Sequence, residues 1–244
     1  MKNKLLITGG SGNLGEKLIT SLLFKNIFYP KKNECNILNF NKLKKFIKNK
    51  NINLIIHCAA IARMTECERN VYKAIKINIE GTLNIIKVIN SLKKKKKIKL
   101  VYISTDAVYP GDKGNYAETG VLKPFNVYGW TKLSSEFIVR TLNNFLIIRT
   151  RFFNPDKIRF KYFAKDIYSS TIEIKKLVLI IYKLISKNIS GIVNVGENRI
   201  SDYENYKKFK KKIISCSKNK ILRKVNFKIA TDSSLNIKKL NKIL

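Results

Sequence analysis

The amino-acid sequence predicts an α/β fold: a doubly wound parallel sheet with helices on both faces and a small lobe formed by the C-terminal third. Three observations carry this. Six short runs rich in β-branched and aromatic residues recur at Leu5–Thr8, Ile27–Tyr29, Leu54–Cys58, Leu100–Ser104, Phe145–Arg149 and Ile192–Val195, with helical patterns between them near 14–25, 40–49, 66–92, 127–143, 173–187 and 203–215. Such alternation is the signature of parallel βαβ units. The first run breaks into the spaced glycines Gly9, Gly12 and Gly15. The glycine turn, Ala59–Ile61 and Ser104–Asp106 all follow strand ends, where open α/β sheets bind ligands.

Taken in order, the elements follow from local chemistry. After Leu5–Thr8, Gly9 permits a sharp turn, Gly12 lets the backbone approach a pyrophosphate, and Gly15 lets the next helix pack closely. Ser11, Asn13 and Leu14 complete this turn, and the helix N-terminus directs free N–H groups at the phosphates of a dinucleotide. Leu14, Leu18, Ile19, Leu22 and Leu23 give the helix its apolar face. The second strand ends at Tyr29-Pro30-Lys31-Lys32, the third at His57–Ala60 and the fourth at Ser104–Asp106. The segment 151–172 has no clear period and is expected to wrap toward the ligand. Residues 1–150 are expected to form the nucleotide-binding core. Residues 151–244 supply the sixth strand, the last helices and a reduced lobe in the same structural unit.

Composition excludes several classes. A chain of 244 residues with 45% hydrophobic residues supports a sizeable core and is not disordered. No apolar run reaches transmembrane length, and Met1-Lys2-Asn3-Lys4 leads directly into a strand, so no signal peptide is expected. Cys35, Cys58, Cys67 and Cys216 lack metal or redox spacing and read as reduced thiols of a cytoplasmic protein. The formal charge of +34 is spread along the chain. The run Lys93–Lys97 reads as a solvated helix end and loop, without the interleaved aromatics of a single-strand binder, so no nucleic-acid partner is expected. The charge still favours anionic small molecules.

Tyr128 and Lys132 share one face of a helix. An ammonium beside a phenol is expected to lower a pKa that starts near about 10 and to make the tyrosine a proton donor to a carbonyl. The fourth strand delivers the Ser104 and Thr105 hydroxyls to its carboxyl end, where they can hydrogen-bond a substrate carbonyl. His57, the only histidine in the sequence, reads as packing rather than as a base.

In order along the chain stand Thr8–Gly15, His57–Ala60, Asn78–Thr82, Ser104–Tyr109 and Tyr128–Lys132. This ordered set resembles the extended short-chain dehydrogenase/reductases that modify nucleotide sugars, nearest to their dTDP-4-dehydrorhamnose reductase branch. The resemblance covers about residues 4–155 well and the remainder loosely. It implies a Rossmann-like sheet, a substrate-binding C-terminal lobe, and Thr105, Tyr128 and Lys132 as the catalytic set. Lys132 would also hold the nicotinamide ribose, Ala59, Ala60 and Ile61 would line the cofactor, and Asn78 would support the catalytic helix. Thr105, Asp106 and Asn154 would bind the nucleotide-sugar substrate, Asn154 at its pyrophosphate. Related 4,6-dehydratases carry an Asp-Glu pair where this chain has Asp106-Ala107, which favours simple carbonyl reduction.

Dehydrogenases that use NAD place an acid at the end of the second strand. Here Lys31 and Lys32 can meet a 2′-phosphate, which favours NADPH, with NADH as the alternative; Asn36 and Ile37 stand where the family contacts adenine. The chain is shorter than the family's usual members, and Phe152 and Phe153 occupy a region where the branch has a tryptophan near the sugar. The expected function is reduction of a 4-keto nucleotide sugar in surface polysaccharide synthesis, with no metal and no membrane partner. A homodimer is left open. The alternatives are a non-catalytic, cofactor-binding regulatory subunit and a nucleotide-sugar epimerase.

Overall fold

The structure is a computed structural model describing residues 3–92, 98–225 and 227–244. The lysine run at 93–97 lies outside the described residues. Six parallel strands form one sheet: β1 (Leu5–Thr8), β2 (Ile27–Phe28), β3 (Leu54–His57), β4 (Lys99–Thr105), β5 (Phe145–Thr150) and, late in the chain, Gly191–Val195. Their spatial order is the late strand, then β5, β4, β3, β1 and β2. The chain steps outward from β1 to β2 and then crosses to β3 on the other side. The crevice at this reversal opens above the carboxyl ends of β1 and β3.

Period-two alternation divides the core between the two faces. Leu5, Ile7, Leu54, Ile56, Val101, Ile103, Leu146 and Ile148 point to one face. They meet Leu14 and Leu18 of α1 (Asn13–Thr20) and, further along the chain, the apolar stripe Leu177, Val178, Ile181, Leu184 of the helix Ile174–Ser186. Leu6, Ile55, Leu100, Tyr102 and Ile147 point to the other face. There they meet Leu43 and Ile47 of α2 (Phe40–Asn49) and Ile85, Ile86 and Ile89 of the helix Gly81–Ser91. Burying each such side chain contributes about 1.5–3 kcal/mol.

Several helices depart from the sequence expectation. The helix expected over 66–92 is four segments: α3 (Met64–Arg69), α4 (Val71–Ala74), a π-helical stretch Ile75–Glu80, and α5 (Gly81–Ser91). Asn70 leaves helical geometry, with φ −141° and ψ 79°, and its side chain caps α4 at Lys73 N. The first helix stops at Thr20, because Leu22 adopts φ 59° and turns outward. α6 spans Val127–Val139; Asn126 caps it by accepting from Gly129 N at 2.7 Å.

The C-terminal lobe is built from short pairings. β6 (Phe152–Phe153), β7 (Tyr162–Ala164), β8 (Tyr168–Ser169) and β9 (Ile172–Glu173) precede α7 (Ile174–Ser186) and β10 (Gly191–Val195), the late strand of the main sheet. β11 (Ile200–Ser201), α8 (Asp202–Lys207), β12 (Ile214–Cys216), α9 (Lys218–Leu222) and α10 (Lys238–Ile243) follow. The helix expected over 203–215 therefore ends at Lys207, and 214–216 instead pairs in parallel with β7. Phe153, Phe163, Tyr206 and Phe209 stack into one aromatic cluster that holds this lobe. Residues 231–236 run back over the core: Thr231 N donates to Gly111 O and Asn236 N to Tyr116 O.

Candidate active site

A continuous cleft runs along the carboxyl ends of β1, β3, β4 and β5. One chamber, of about 750 Å³, lies beside the glycine turn and the end of β2; Ser11, Lys31, Lys32, Asn36, Ile37, Ala59 and Ile61 line it. The other, of about 430 Å³, contains Asn13, Leu14, Gly15, Thr105, Asp106, Tyr128 and Lys132. Gly9, Gly12 and Ala60 border both.

The glycine turn is set by space. Gly9 has φ +73°, and a Cβ there would lie 2.6 Å from Ala59 N. A Cβ on Gly15 would lie 2.3 Å from Gly9 O, so α1 presses directly on the turn. Gly12 caps α1 without any side-chain hydrogen bond, which leaves the first N–H groups of the helix facing the cleft. Across the cleft, Asn78 joins three segments. Its Oδ1 accepts from Ile61 N at 2.8 Å, and its Nδ2 donates to Ile61 O at 3.1 Å and Thr131 Oγ1 at 2.9 Å. The π-helical turn directs this buried side chain inward beside α6.

At the chemical end, Thr105 Oγ1 donates to Asp106 Oδ1 at 3.1 Å and accepts from Ala107 N at 3.2 Å. Asp106 Oδ2 accepts from Ser233 Oγ at 2.6 Å, which ties the C-terminal segment to the end of β4. Burial, with the nearby Asp106 charge, pushes the Tyr128 phenol above the ordinary tyrosine range. Burial pulls Lys132 down to about 7, while the charge of Glu136 pulls the other way. The expectation that the lysine lowers the phenol is thus corrected. Both groups lie in low dielectric, and desolvation disfavours phenolate and ammonium alike. The Lys132 ammonium sits 3.9 Å from the Tyr102 ring centroid.

His57 is buried between Thr8 Oγ1 at 2.6 Å and Thr82 Oγ1 at 3.0 Å. Burial lowers it to about 3, so it is a neutral packing group. Cys58 borders both chambers, but burial pushes its thiol up to about 12 and removes it as a nucleophile. Ser104 borders the same chamber as Thr105, but its hydroxyl is taken up by Glu136, to which it donates. Asn154 lines neither chamber; its Oδ1 caps the next turn at Asp156 N, 3.0 Å away. Arg151 and Phe152 line the chemical chamber instead. Arg151 pairs with Asp202 at 3.2 Å. Its place just past a strand end was a usable signal, whereas Ser233, Ile229 and Ala230 reach the chamber from far along the chain. Among the described residues no cluster of metal ligands occurs, and no helix is long and apolar enough to cross a membrane.

The sheet order, the glycine turn and the cleft at the strand ends define a Rossmann-like α/β protein of the short-chain reductase type. The sequence profile of the RmlD substrate binding domain matches residues 3–167, and the chain belongs to that family. A dTDP-4-dehydrorhamnose reductase of Aggregatibacter actinomycetemcomitans is 31% identical over 153 residues, 60% of this chain and 50% of that protein. Methionine adenosyltransferase 2 subunit beta of Bos taurus is 30% identical over 142 residues, 54% of this chain and 41% of that protein. The chain spans about half the length of the curated relatives it matches. The crystal structure of dTDP-4-dehydrorhamnose reductase from Bacillus anthracis, in complex with NADP, superposes with a TM-score of 0.86 at 25% identity, covering 99% of this chain and 93% of that one.

Proposed function

We propose that this chain reduces a 4-keto nucleotide sugar with NADPH, as a cytoplasmic enzyme of surface polysaccharide synthesis. The observation that carries the reading is the convergence of Thr105, Tyr128 and Lys132 on the chamber that adjoins the glycine turn. Bound NADPH would supply the hydride. The uncapped N-terminus of α1 and Gly12, which borders both chambers, fit a pyrophosphate, and Lys31 and Lys32 stand at the rim of the larger chamber, where a 2′-phosphate would lie. Tyr128, held protonated by burial, is an acid suited to reduction: it gives its proton to the oxygen as the carbonyl becomes an alcohol. Thr105 orients that oxygen, and Lys132 holds the ribose and supplies positive charge beside the developing alkoxide. Ala107 leaves no second acid for an elimination.

The test is NADPH oxidation measured across a panel of 4-keto nucleotide sugars. Turnover of one member is expected. Tight NADPH binding with no turnover of any member would favour the regulatory-subunit reading, which the similarity to a methionine adenosyltransferase beta subunit keeps in view.

A further inference from the structure

Behind the Thr105–Tyr128–Lys132 set lies buried charge that the proposed reaction does not use. Arg149 and Glu136 are both fully buried. Arg149 Nε donates to Glu136 Oε1 at 3.0 Å and Nη2 donates to Oε2 at 2.7 Å, a two-pronged pair. Ser104 Oγ donates to the same Oε1 at 2.5 Å. Arg149 Nη1 reaches Tyr109 Oη at 2.7 Å and Glu118 O at 3.0 Å, and Tyr109 Oη donates to Asn194 Oδ1 on β10 at 3.1 Å. Three members of this network neighbour the reacting set. Ser104 precedes Thr105 on β4, and Glu136 follows Lys132 by one turn of α6. Arg149 precedes Thr150, the register partner of Thr105.

A buried ion pair adds little net stability over apolar residues of the same volume. Its hydrogen bonds are directional, however, and here they fix a helix against a strand. We propose that Glu136 is a positioning residue for the reacting set: its carboxylate, held by Ser104 of β4 and Arg149 of β5, locks α6 to the end of β4 and so sets where Tyr128 and Lys132 stand. The claim rests on the proposed working role of Lys132. Besides Glu136, the Arg149 cation that grips it and Asp106, the titratable groups around that ammonium are neutral. Tyr102 from β4 and Tyr128 from α6 are phenols raised by burial; His57 on β3 is held down to about 3, and Cys58 just past β3 is raised to about 12. Asp106 faces the phenol of Tyr128. Glu136 also opposes the desolvation of Lys132, as one half of a pair whose other half is the Arg149 cation.

The test is an NMR titration of the full chain carrying ¹³C-labelled lysine, with the Lys132 signal assigned by its loss in Lys132→Arg. Wild type should show one lysine titrating near 7. In Glu136→Gln that midpoint should fall by roughly one pH unit, a tenfold loss of proton affinity. Should Glu136→Gln fail to fold because Arg149 is left stranded, Ser104→Ala, which leaves the ion pair whole, decides the proposal through kcat. An unmoved midpoint in Glu136→Gln with a native melting curve overturns the proposal. Ser104→Ala keeps the charge and removes the strand contact: it should leave the midpoint in place while lowering kcat at unchanged KM, and unchanged kcat overturns the positioning claim. The titration needs no substrate, so failure to find a turned-over sugar would sink the reductase reading without touching this result.

Discussion

Tyr128 and Lys132 stand one helical turn apart, and burial makes both harder to ionise. The spacing was legible in the sequence, but the sign of the phenol's shift was not, because an isolated Tyr-Lys pair in water has no desolvation to oppose its Coulomb attraction. The consequence is a tyrosine that holds its proton and would enter the proposed reaction carrying it. Tyr128→Phe should therefore lower turnover on the order of 10²–10⁴-fold, while NADPH, titrated by fluorescence, still binds. Near-normal turnover would remove Tyr128 as the donor.

At the scale of the element, α6 packs against the turn after β4 because Gly129 has no side chain. A Cβ there would lie 2.3 Å from Ala107 O and 3.0 Å from Pro124 Cβ. The contact is with backbone, so the helix would have to shift and draw Tyr128 away from Thr105. Gly129→Ala should cost about 1–3 kcal/mol of stability, as overpacking does, and should lower turnover as well. A thermal melt and an activity assay together check this; a wild-type Tm would show that the helix has room to spare. Elements that follow one local period were readable, and α2 matches its expected bounds of 40–49. The 66–92 stretch was not, because Asn70 leaves helical geometry and the π turn that follows shifts the periodicity. The strand at 214–216 was missed because its partner, β7, is about 50 residues away.

For the whole molecule, charge and topology meet at the rim of the cleft. Lys31 and Lys32 are exposed at the end of β2 in a chain of net charge +34, and Glu34 Oε2 accepts from the Lys31 backbone N–H at 2.8 Å. If these lysines read a 2′-phosphate, NADPH should bind more tightly than NADH, and the preference should narrow as salt rises. Changing both lysines to Ala should narrow it further at low salt. Calorimetric titration of both cofactors at two ionic strengths measures it. A preference for NADH at both would reduce the pair to background charge.

By itself the sequence determined the alternation of six strands with helices, the glycine turn, and the pairing of Tyr128 with Lys132. Each is written in contiguous residues, through periods of two and 3.6 and through spacing. Only the tertiary structure decided that Ser104 belongs to Glu136 and Arg149, and that Arg151 rather than Asn154 lines the chamber. It alone decided that Ser233 closes on Asp106 across 127 residues. These depend on which distant segments the packed sheet brings together and on the low dielectric created once they meet, and neither is encoded in any local pattern.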